Sequence, residues 1–240
     1  MNMKEVFDSV SDSPRLRRFS TSYVLIYFIL TLVFNLIFKL VPVLNTFAGG
    51  YPKSLVVFLF DAALLYGLIR GIVTKNYKIG DTLGSFTDVS AYPLYLTYAG
   101  INLALEILAG VISGAVEKIA ALSIAVTVVF FILELLVNFF VVRLFFDRIL
   151  LKSRTMNFKG VFESCKNVLA NKASRVVSIE VMNIVVNFIS LTVLTFVSVY
   201  LPKNNDTVSF VLTCLSTVKL GMLIYTWPIY YLYYKDTFEL

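Results

Sequence analysis

The chain contains no histidine. That removes the commonest general base, the Ser-His and Cys-His nucleophile pairs and most zinc sites together. Cysteine is almost as scarce. Cys165 falls on a helix face and Cys214 inside a long apolar run, so neither a disulfide nor a shared metal is expected. Both read as small apolar packing residues. Charge is also in short supply, at 15% of 240 residues against about a quarter in soluble domains. No GxSxG, P-loop or HExxH motif occurs. GDTLGS at Gly80 has the glycines of a phosphate loop without its lysine or a preceding soluble strand, and reads as the start of a surface helix. Neither an enzyme nor a cofactor is expected.

What fills the chain instead is apolar. Such residues make up 58% of it, in blocks of twenty or more that match a bilayer rather than a soluble core. The class is an all-α, polytopic integral membrane protein, expected in the plasma membrane. The net charge of +6 fits Lys and Arg facing anionic lipid on the cytoplasmic side. Nucleic acid is not an expected partner, since no soluble module exists to hold it. The first apolar block starts at Tyr23 behind a charged leader and outruns a signal peptide, so it reads as a span that stays.

The stretch from Asn157 to Tyr200 shows the building unit. Phe158, Val161, Phe162, Cys165, Val168 and Leu169 recur at helical spacing on one face, with Lys159, Glu163, Lys166 and Asn167 opposite. A run long enough to span follows from Val176. A surface helix thus feeds a span. Similar starts occur as EVFDSV at Glu5 and DTLGSF at Asp81, beside GVFESC at Gly160. They predict one membrane domain over 1–240, made of three repeats (1–76, 77–156 and 157–240) of a cytoplasmic amphipathic helix plus two spans. In the first, Pro14 is expected to end the helix. In the second, Ile79, Leu83, Phe86 and Val89 are expected to share one helical face.

The six spans are placed at about Ser22–Val43, Ser54–Val73, Pro93–Ile112, Ile119–Phe146, Val176–Tyr200 and Val208–Tyr233. Of the 21 Lys and Arg residues, sixteen then fall inside and only Lys53, Lys118 and Lys203 outside. Both termini should therefore be cytoplasmic. Arg15, Arg17, Arg18, Lys159, Lys166, Lys172 and Arg175 are the expected contacts to lipid headgroups. Tyr92, Tyr95 and Tyr98, and the group from Tyr225 through Trp227 to Tyr234, read as interfacial aromatic belts.

Polar residues inside spans are costly and turn toward protein or water. They are Asp61, Asn102, Glu106, Glu134, Asn138, Glu180, Asn183, Asn187 and Lys219. A rise of about 1.5 Å per residue puts Lys219 and Glu134 roughly 18 and 22 Å below the outer ends of their spans. A buried Lys needs a carboxylate, so a Lys219–Glu134 pair is expected. It serves either as interhelical glue or as part of a transport site.

Phe7–Ser9, Phe162–Ser164, Phe146–Asp147 and Tyr233–Asp236, set in this layout, resemble a group of bacterial and archaeal six-span proteins of unknown function. That group is similar to the membrane domain fused to some glycerophosphodiester phosphodiesterases. No counterpart of the catalytic domain occurs here, so its reaction is not implied. The resemblance implies a lipid-associated, helper or export-related membrane protein. The expected function is a non-enzymatic component, accessory or permease-like, that binds membrane lipid and either a protein partner or further copies of itself. The alternative is a secondary transporter using the buried Glu, Asn and Lys groups.

Overall fold

A computed structural model describes residues 2–40, 51–116, 120–150, 157–200 and 223–240. Every regular element among them is helical. In chain order they are α1 (Met3–Ser11), α2 (Pro14–Leu40), α3 (Tyr51–Val73), α4 (Ile79–Leu83), two 3₁₀ turns (Gly84–Thr87 and Val89–Ala91), α5 (Tyr92–Val116), α6 (Ala120–Leu150), α7 (Phe158–Tyr200) and α8 (residues 223–237). Among the described residues, three segments are long and apolar enough to cross a membrane: Tyr51–Val73, Val89–Ala115 and Val128–Leu150. At about 1.5 Å per residue each covers a hydrocarbon core of about 30 Å. The protein is an all-helical membrane protein.

Local chemistry sets the helix ends. Asn2 caps α1 through a capping box: its Oδ1 accepts from the Glu5 N–H at 2.8 Å, and the Glu5 carboxylate accepts from the Asn2 N–H at 2.9 Å. Two of the orphan donors at the helix start are thereby satisfied. As expected, Pro14 stands just past the end of α1, which stops at Ser11 with Asp12 as its C-cap. It opens α2, at the position where a missing N–H costs nothing. The surface helix expected after Tyr77 is replaced by a single helical turn and the two 3₁₀ turns. Asp88 explains the change, because its carboxylate accepts from both the N–H and the hydroxyl of Ser90 and holds a turn against helix propagation. Inside α7, Lys172 has φ −134 and ψ 28. Two helices meet there, so the surface segment is separated from the apolar run that begins at Val176.

The chain divides into two compact units. Unit 1 comprises Met1–Thr31, Gly71–Ile79 and Val168–Leu240. Val6, Val10, Phe19, Tyr23, Ile72, Ile179 and Tyr234 are buried in it. The Phe19 ring lies 5.7 Å from those of both Tyr23 and Tyr77. Ser20 donates its hydroxyl to the Ile224 carbonyl at 2.7 Å, tying α2 to α8.

Unit 2 comprises Leu32–Arg70 and Gly80–Asn167. Here α5 packs on α6, and Tyr66 of α3 meets Tyr95 at 5.7 Å and Phe145 at 6.0 Å, both edge-on. Ser85 donates to the Ala63 carbonyl and Tyr95 donates to the Ser85 carbonyl, each at 2.9 Å. The 3₁₀ segment is thus stitched between α3 and α5. Cys165 is free and buried. Burial pushes its thiol up to about 12, with Asp147 adding to the rise and Arg143 opposing it. It is a protonated packing residue, not a nucleophile.

The two best-matched sequence starts also match in burial. Val6 and Val161 are each 0% exposed, while their neighbours Phe7 and Phe162 are 50% and 63% exposed. Val10 and Cys165, four residues after the valines, are buried too. One side of each amphipathic helix therefore packs on protein, and a phenylalanine on the other side stands free.

Candidate functional site

In unit 1, α7 and α8 are joined by a ladder of polar contacts. Lys172 donates to the Thr237 carbonyl at 3.1 Å and pairs with the Glu239 carboxylate. Arg175 pairs with Asp236 at 3.0 Å, and its guanidinium lies 5.4 Å from the centre of the Tyr233 ring. Glu180 accepts at Oε1 from the hydroxyls of Tyr230, at 2.7 Å, and Tyr234. Partner numbers fall along α8 as they rise along α7, so the two helices run antiparallel.

Glu180 is the unusual member. It is only 6% exposed. Tyr230 and Tyr234 stand one helical turn apart, which is why both reach the same oxygen. Its second oxygen, Oε2, is buried with no hydrogen-bond partner among the described residues. A carboxylate holding one oxygen in reserve can accept a proton, a cation or a ligand donor. Among the described residues, no group of three acidic or Cys side chains is placed to hold a metal ion.

The outer rungs carry charge in the usual sense. Burial alone would raise the Asp236 carboxyl, but the hydrogen bond and charge of Arg175 help to hold it below its ordinary 3.8. The bond and charge of Lys172 lower the exposed Glu239 in the same direction. A carboxylate whose folded-state pKa is depressed stabilises the fold fully above its ordinary pKa and loses that contribution as pH falls through the folded value. The melting temperature should therefore drop as the pH is taken below about 4, the ordinary range for Asp. Arg175→Met should flatten that drop, because Asp236 then loses the hydrogen bond and charge that Arg175 contributes. Thermal melts between pH 3 and 6 in detergent measure it, and equal slopes for the two proteins would remove the pair from the account.

The residues singled out from the sequence are differently placed. In unit 2, Glu106 accepts from the Ser54 hydroxyl at 2.9 Å, joining α5 to α3. Asn102 spends its amide on the Tyr98 carbonyl of its own helix, at 2.8 Å. Asp61 and Asn138 are half-buried and Glu134 is exposed. In unit 1, Asn183 is half-buried on α7. The Asn187 side chain and all of Lys219 lie outside the described residues, and so does the expected Lys219–Glu134 pair. Of the basic residues assigned to headgroups, Arg15, Arg18, Lys159 and Lys166 are exposed and Arg17 is half-buried. Lys172 and Arg175 are engaged by the carboxylates of Glu239 and Asp236 instead.

Sequence reading named Glu180 as one intramembrane acid among several and did not rank it. The available signal was the Tyr230–Tyr234 spacing, which a belt of interfacial tyrosines explained equally well. No protein-family model, curated protein or solved structure matches this chain.

Proposed function

We propose that the chain is a non-enzymatic, multi-pass membrane protein that binds lipid, as an accessory or permease-like component. In this reading it has six spans, in three repeats of a surface helix and two spans, with both termini at the cytoplasmic face of the plasma membrane. The matched burial of Val6, Phe7 and Val10 with Val161, Phe162 and Cys165 carries it. Each surface helix is clamped to its own unit by the small apolar side and offers a phenylalanine outward. Exposed basic residues lie close by in sequence, Arg15 and Arg18 after the first helix and Lys159 and Lys166 on the second. Apolar insertion plus a cationic flank is how an interfacial helix engages anionic lipid.

Native mass spectrometry of the protein extracted in its own lipid patch tests this. The expected result is retained anionic lipid, reduced severalfold in a Phe7→Glu, Phe162→Glu double variant. A stoichiometric second protein would identify an accessory subunit. Equal lipid retention by wild type and variant would defeat the reading.

A second reading, secondary transport, is favoured by one observation, the unengaged Oε2 of buried Glu180. It requires ion or proton flux in proteoliposomes that Glu180→Gln abolishes while the protein stays folded.

A further inference from the structure

At the basic end of unit 1, four segments converge around a cavity of about 510 Å³. That volume falls within the range of small-molecule sites, ~300–1,000 Å³. Its polar lining comprises Ser9 of α1, Ser13 at the start of α2, Lys75 and Tyr77 after α3, and Lys235 and Asp236 at the end of α8. We propose that this cavity binds a phosphate ester group, with Lys75 and Lys235 as its cationic clamp.

The inventory of donors carries the proposal. The Lys75 ammonium and the Tyr77 hydroxyl make no hydrogen bond among the described residues. Burial raises the Tyr77 phenol, so it stays a donor at neutral pH. Ser13 accepts a long 3.4 Å bond from the Leu16 N–H, which leaves its own O–H to give. Lys235 makes one stretched contact, 3.5 Å to the Val73 carbonyl, and keeps two protons in hand. Ser9 already donates to the Val6 carbonyl and adds only shape. The 27-residue α2 also starts at this wall, and the positive end of a helix favours an anion.

The opposing charges do not cancel this. Asp236 is paired with Arg175, which leaves two ammonium groups and a helix end at this wall. A site with four donors and surplus positive charge suits the several acceptor oxygens of a phosphate. The conformation of Lys75 is informative as well. Its φ of 55 is the left-handed position after a helix where glycine is the cheap choice. A lysine stands there at an energetic cost, and its N–H still caps the Ile72 carbonyl.

The proposal rests on the lipid-binding reading only for the source of the phosphate. The test uses the full chain in detergent, with binding of dioctanoyl phosphatidic acid, inorganic phosphate and dioctanoyl phosphatidylcholine followed by native mass spectrometry and calorimetry. Phosphatidic acid should bind saturably at one site, and Lys75→Gly and Lys235→Gln should each weaken it about tenfold or more, as expected for loss of a charged hydrogen bond. Lys75→Gly relieves the left-handed backbone, so its melting temperature should hold or rise and weakened binding cannot be put down to unfolding. Inorganic phosphate that binds and competes would support the site with a soluble phosphate as its source. Its failure to bind, with phosphatidic acid binding, would support a headgroup. Phosphatidic acid affinity unchanged in both lysine variants would overturn the proposal. Retention of phosphatidylcholine in that case would leave general lipid binding standing, while loss of all lipid retention by the wild type would be the failure of the broader reading.

Discussion

Gly71→Ala should lower the melting temperature by several degrees. A Cβ built on Gly71 would come 2.3 Å from Cζ of Phe19 and about as close as 3.0 Å to its ring neighbours. Such contacts require something to move. Phe19 is buried and has the rings of Tyr23 and Tyr77 on either side, each 5.7 Å away, so no free rotamer awaits it. Overpacking of this kind costs about 1–3 kcal/mol, and a protein of this size loses about 2–4 °C per kcal/mol. Alanine is otherwise the better helix former by about 1 kcal/mol, so a fall in stability would show the clash winning over propensity. Phe19→Leu in the Gly71→Ala background should return part of the loss by opening room for the methyl. Unchanged or raised stability in Gly71→Ala would mean that α2 and α3 do not approach this closely.

The second large effect is expected at Glu180. Glu180→Ala leaves the Tyr230 and Tyr234 hydroxyls without their acceptor. Each stranded buried donor costs about 1–3 kcal/mol. Removing a buried carboxylate also recovers its own desolvation, which works in the opposite direction. The balance depends on what remains. With both phenols still in place the loss should win, and Glu180→Ala should melt well below the wild type. The triple variant Glu180→Leu, Tyr230→Phe, Tyr234→Phe removes every member of the network at similar volume and should recover to near or above the wild type. Glu180→Gln keeps a carbonyl oxygen for both tyrosines and should fall between. Measured in detergent by thermal unfolding, a Glu180→Ala protein as stable as the wild type would show that the network contributes nothing. A triple variant no better than Glu180→Ala would show that the packing, rather than the polar contacts, is what Glu180 supplies.

The membrane class and the helical elements follow from sequence alone, for a simple reason. Apolar runs of span length have one good conformation in lipid, because a helix satisfies every backbone group within the segment. Helical periodicity likewise marked Val161, Phe162 and Cys165 as members of one apolar face, with EVFDSV at Glu5 as a similar start. Periodicity reports a face but not what lies against it. Only tertiary packing decided that the valines turn to protein and the phenylalanines do not. The stretch after Tyr77 shows the opposite limit. Its spacing reads as a helix, yet Gly80, Gly84 and the Asp88–Ser90 contacts favour turns, and Ser85 reaches back to Ala63 across α3. Nothing local in the sequence announces that bond.

The same division separates the sites. Composition and charge placement carried the expectation that Lys and Arg gather at one end of the helices. Glu180 meeting tyrosines 50 and 54 residues away, Lys172 and Arg175 turning to Glu239 and Asp236, and Lys75 facing one cavity with Lys235 all depend on how distant helices cross. Side-chain spacing within a helix is set by the backbone repeat and is readable residue by residue. Pairing between helices is set by the summed packing of many side chains, and no single stretch of sequence contains it.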